Sequence, residues 1–145
     1  MYRKVLIAID PESEQEVPAA LAAGLDQLSQ EGELHLVTVV NPDGTDFFPH
    51  VPEQSAEEQE AATRAALERM ADAHLPSGRS AQIHVAHGAA GTVLVALAGR
   101  LGADLLIVIS HGAGGRWPLP RHTVEYVAVN APCAVLVLPG ADSEQ

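Results

Sequence analysis

Residues 84–112 read HVAHGAAGTVLVALAGRLGADLLIVISHG, and the fold turns on this stretch. Its middle, AGTVLVALAGRLG, is mostly apolar and closes on Gly102, a residue suited to the left-handed stop of a helix. Two short apolar runs flank it, SAQIHVAHG before and ADLLIVIS after. Both have strand length, and the second is the most hydrophobic run in the chain. Strand, helix and strand in that order form a crossover unit, which joins parallel strands.

The same alternation extends in both directions. KVLIAI near the start is a buried strand ended by Asp10 and Pro11. Ser13 and Glu16 then stand at capping-box spacing, which predicts a helix to about Gln30 with Gly32 near its end. ELHLVTVV is the second strand, and Asn41 to Pro52, with three prolines and a glycine, is a loop. Ser55 and Glu58 repeat the capping-box spacing before AEEQEAATRAALERMADAH. Ala62, Ala66, Met70 and Ala73, with Leu67 beside them, would form its buried stripe. Beyond residue 112 a helix is predicted from about Thr123 to Asn130, followed by the strand CAVLVLP. Five strands thus alternate with four helices in one α/β domain over residues 1–140: an open parallel sheet with helices on both faces. Residues 141–145 are expected to be a disordered tail.

Composition narrows the function. The 145 residues are 47% hydrophobic and only 3% aromatic, so the core must be built from Val, Leu, Ile and Ala. A net charge of −11, with Lys4 the only lysine, argues against nucleic acid and anionic membrane surfaces as partners. The acidity reads as a solvated surface; a high-salt cytoplasm is the sharper alternative. Cys133 is alone, which excludes an intramolecular disulfide. VLIAI is too short for a signal-peptide core or a membrane span, so a cytoplasmic protein is expected.

In a doubly wound sheet, ligands bind beyond the C-terminal strand ends where strand order reverses. If the order is 3-2-1-4-5, which spacing alone does not fix, that crevice lies between the first and fourth strands. Asp10 would stand on one side, and Ser110, His111 and Gly112 on the other. Asp10 could orient a ligand or metal, or accept backbone N–H groups in its own turn. Ser110, His111 and Asp10 do not make a convincing hydrolytic set, because no Gly-x-Ser-x-Gly elbow is present. His84 and His87 fall on opposite strand faces, which argues against a metal pair. Cys133 opens a strand and reads as a small core residue.

At KVLIAID, at HVAHGAAGTVLVALAGRLGADLLIVISHG and at VEYVAVNAPCAVLVLPG, the chain resembles the universal stress protein family over nearly its whole length. The resemblance implies an adenine-nucleotide alpha-hydrolase-like fold with strand order 3-2-1-4-5. It also implies a homodimer paired through the last strand, Val135 to Leu138. Nucleotide-binding relatives place the end of the second strand, here Val40, beside the adenine.

ATP-binding members carry Gly-x-x-Gly, a spacer, then Gly followed by Ser or Thr. Glycines let the backbone approach the phosphates, and the final residue sits at a helix N-terminus where free amides favour an anion. Here Ile109 stands at the first glycine position and Gly112 at the second. Counted back from Ala-Pro-Cys, the spacer is one residue short. The final pair then falls on Arg121 and His122, an alignment supported by the capping-box spacing of His122 and Glu125. With the gap inside the helix it falls on His122 and Thr123. Pro118 and Pro120 each remove a backbone donor. Gly112 and Gly115 form a displaced Gly-x-x-Gly, and Arg116 and Arg121 could pair with phosphates.

The favoured expectation is a non-enzymatic, homodimeric regulatory or stress-response domain with weak or absent ATP binding and an unidentified protein partner. The alternative is an ATP-binding switch that uses the altered loop together with Mg²⁺, with slow hydrolysis at most.

Overall fold

A computed structural model describes residues 1–11, 13–40, 56–110 and 121–140. The predicted 41–52 loop, the Ser55 cap, the 111–120 segment and the 141–145 tail therefore lie outside the described residues. The elements are β1 (Tyr2–Ala8), a short 3-10 turn (Glu14–Glu16), α1 (Val17–Gln27), β2 (Leu28–Val40) and α2 (Ala56–His74). They continue with β3 (Gln82–His87), α3 (Ala90–Leu101), β4 (Leu105–Ser110), α4 (Arg121–Asn130) and β5 (Ala134–Pro139). All four pairings are parallel, in the order β3-β2-β1-β4-β5.

Alternation along the central strands divides the core between two faces. Val5, Ile7 and Ile9 of the first strand segment face α1 and α2, where they meet Leu21, Leu67 and Met70. Leu6 and Ala8 face α3 and α4, where they meet Leu94, Leu97 and Val127. Because β1 and β4 are covered on both sides, their sequences read as continuous apolar runs rather than as alternating ones. At the lower end of the sheet, the Asp104 carboxylate accepts the backbone N–H groups of Arg3 and Lys4 at 3.2 and 3.1 Å. Lys4 Nζ donates to the Leu101 carbonyl at 2.9 Å, satisfying an end carbonyl of α3.

Several predicted details are corrected. Helix α1 stops at Gln27, and Leu28 is already extended. Gly32 is therefore no helix stop. A Cβ there would lie 2.9 Å from the Arg3 carbonyl and 2.6 Å from Leu28 Cδ1, so glycine permits a close passage beside β1. Ser13 makes no capping hydrogen bond. In α2 the buried stripe is Thr63, Ala66, Leu67, Met70 and Ala71, while Ala62 and Ala73 are exposed. Alanine tolerates either environment; Leu67 and Met70 have the larger area to bury and set the helix rotation. Helix α3 does end on Gly102, which holds φ at +69°.

Candidate functional site

The strand order brings Asp10, just past the end of β1, next to the end of β4 at Ser110. Four hydrogen bonds hold its position. Ile9 N–H donates to the Val37 carbonyl at 2.8 Å, and Thr38 Oγ1 donates to the Ile9 carbonyl at 2.8 Å. Ser13 Oγ donates to Asp10 Oδ2 at 3.0 Å, and Ser13 N–H to the Asp10 carbonyl at 3.0 Å. Asp10 is 6% exposed, so at least one carboxylate oxygen is engaged within its own turn. Thr38 was not singled out from the sequence, and Ser13 was read there only as half of a capping box. The signal for Thr38 was a lone hydroxyl residue inside LVTVV, which needs a partner once the strand is buried.

Val40 ends β2, half-buried, and its carbonyl accepts the Gly88 N–H at 2.9 Å. On the other flank the Ser110 carbonyl accepts the Gly140 N–H at 2.7 Å. Helix α4 begins at Arg121, two residues before the predicted start. Arg121, His122 and Thr123 thus all belong to its first turn, whose N–H groups have no partner within the helix. His122 lies within this first turn. His122 is exposed, whereas Thr123 is 8% exposed. A Cβ at Gly91 would lie 3.6 Å from Thr123 Cγ2, so the Thr123 methyl group faces the start of α3. His111, Gly112, Gly115 and Arg116 lie outside the described residues, as does the Arg121 side chain.

The family profile described as the Universal stress protein family matches residues 1–139. The chain belongs to the universal stress protein family. Solved structures share its fold. UspA from Lactobacillus plantarum superposes with a TM-score of 0.66 at 19% identity, over 94% of this chain and 97% of that one. A universal stress protein in complex with cAMP gives a TM-score of 0.59 at 21% identity, over 97% and 98% of the two chains. A universal stress protein from Archaeoglobus fulgidus gives 0.65 at 22% identity, covering 98% of this chain and 45% of that longer one. No curated protein matches the chain.

In this universal stress protein, Ile109 is 3% exposed and belongs to the core on the α1 and α2 face, beside Ile9 and Val17. It pairs in register with Leu138 of β5. The Ile109 side chain is therefore committed to the core. Among the described residues, no group of three or more His, Cys, Asp and Glu side chains could hold a metal ion. No helix among them is long and apolar enough to cross a membrane.

Proposed function

We propose that this universal stress protein is a cytoplasmic, homodimeric regulatory domain of the stress response that binds ATP weakly or not at all. The observation that carries the reading is the burial of Ile109. A ligand needing room at this position would have to displace a side chain that cannot withdraw without vacating the core. Pro118 and Pro120 lower the number of N–H donors between β4 and α4. Its output would be contact with another protein, because a charge of −11 disfavours nucleic acid and anionic membranes.

The dimer would pair β5 with its copy. β5 is an edge strand, and Val137 on it is 41% exposed. An apolar edge of this kind needs a cover.

One observation favours a second reading, an ATP-binding switch. The first turn of α4 has amides without partners within the helix, a suitable anion site, and its sequence includes Arg121. Calorimetric titration with Mg-ATP, and separately with cAMP, decides between the two. Binding weaker than about millimolar for ATP supports the regulatory reading. Micromolar binding that is lost in Arg121→Ala establishes the switch instead.

A further inference from the structure

Away from the crevice, His35 of β2 and His84 of β3 meet on the α3 side of the sheet. His35 Nδ1 lies 2.9 Å from His84 Nε2, and His35 Nε2 lies 3.1 Å from Glu33 Oε1. The ring centroids are 5.1 Å apart and the planes only 18° from parallel. With the nitrogens so close and the centroids so far apart, the rings meet edge to edge rather than face to face. Each facing nitrogen aims its lone pair or its proton at the other. Two Zn–N bonds of about 2.0–2.1 Å cannot fit in line across such a gap, so its occupant is a proton.

We propose that His35 and His84 form a proton-operated latch on the edge strand β3, closed while the two imidazoles share at most one added proton and opened when both are charged. The hydrogen bonds dictate the logic. Glu33 accepts from His35 Nε2–H, so in the neutral pair His35 Nδ1 is an acceptor and His84 Nε2–H donates. One added proton enters at His84 Nδ1, the nitrogen left free in the pair, and the shared bond survives with its proton on either side. A second proton puts N–H on both facing nitrogens, and the rings must part.

The surroundings resist that second proton. His35 is 3% exposed. Burial, then the positive charges of His35, Arg64 of α2 and Arg100 of α3, hold His84 below the ordinary imidazole value. From β1, Lys4 Nζ approaches Glu33 Oε1 at 3.9 Å. An unfolded chain takes up a proton that folded His84 refuses. Stability from this group is therefore complete above about pH 6.5 and falls as the pH drops below it.

The strand it would release borders the crevice. Val40 is paired in register with His87, and Gly88 follows. The outer side of β3 is held separately. Arg64 Nη1 donates to the Ile83 carbonyl at 2.9 Å, and His87 Nε2 lies 3.0 Å from Glu60 Oε1. The His87 hydrogen bond leads the causes that hold the Glu60 carboxyl below its usual range. Acid therefore loosens β3 from β2 while its ties to α2 persist.

The test is amide hydrogen exchange on the full chain, corrected for intrinsic rates. Between about pH 7.5 and about pH 5.5, opening at residues 83–87 should rise by up to about tenfold, with β1 and β4 unchanged. His84→Gln keeps a donor for His35 Nδ1 but takes no proton, so its β3 exchange should be independent of pH. An equal pH dependence in this variant, or a uniform change across the sheet, overturns the latch. Imidazole nitrogen spectra of the wild-type protein decide independently, even if the variant fails to fold. Both rings seen as imidazolium with β3 amides still protected would also overturn it.

Discussion

Ser13 Oγ donates to Asp10 Oδ2 at 3.0 Å, so the residue after the first strand is tied into its own turn before any ligand arrives. Asp10 is thereby a structural acceptor as well as a crevice residue. Ser13→Ala should lower stability by about 1 kcal/mol, the net worth of one such hydrogen bond. Urea denaturation followed by circular dichroism measures it. An unchanged midpoint would mean that Asp10 is held by its other contacts alone.

Thr38 secures the neighbouring strand end. Its hydroxyl donates to the Ile9 carbonyl at 2.8 Å and is fully buried. Thr38→Val preserves shape but leaves that carbonyl without the donor, at a cost of about 1–2 kcal/mol. Thr38→Ser should recover most of the loss in the same assay.

Gly88 holds φ at +130°, where a side chain is strained, and a Cβ there would lie 2.9 Å from Val93 Cγ2. Gly88→Ala should cost about 2 kcal/mol or more. Because Gly88 N–H donates to the Val40 carbonyl, exchange at that amide should quicken beyond the global effect.

Val137 reports on the edge of the sheet. Val137→Arg should move the protein to a later elution volume on size exclusion with little change in its thermal midpoint. The same elution as wild type would exclude β5 as the contact between copies.

Cys133 is half-buried, and burial followed by the Asp104 charge pushes its thiol above the ordinary value. Its reaction with a disulfide reagent near neutral pH should be slower than that of a free thiol and should quicken as the pH rises. Unfolding should abolish the difference. A fast reaction in the native state would place the thiol in a more open setting.

The alternation of elements was legible because a strand buried on both faces leaves an unbroken apolar run, as in ADLLIVIS, and because Gly102 marks a stop that few other residues satisfy. The end of α1 was not legible, since Gly32 resembles a helix stop and serves instead to let the chain pass Arg3. Alanine likewise hid the rotation of α2, being as content on the solvent face as beneath it. For the crevice, Asp10 was readable from its place at a strand end and Val40 only through the family resemblance, whereas the roles of Ser13 and Thr38 follow from the partners that the turn and the neighbouring strand bring to them.

By itself, then, the sequence determined which segments are strands and helices, their parallel sense, and the presence of an isoleucine at the end of the fourth strand. All of these follow from local pattern, which acts over a few residues. Tertiary structure alone decided that Ile109 is sealed into the core and that His35 meets His84. Those contacts join residues far apart in the chain, and only the register of neighbouring strands can bring them together.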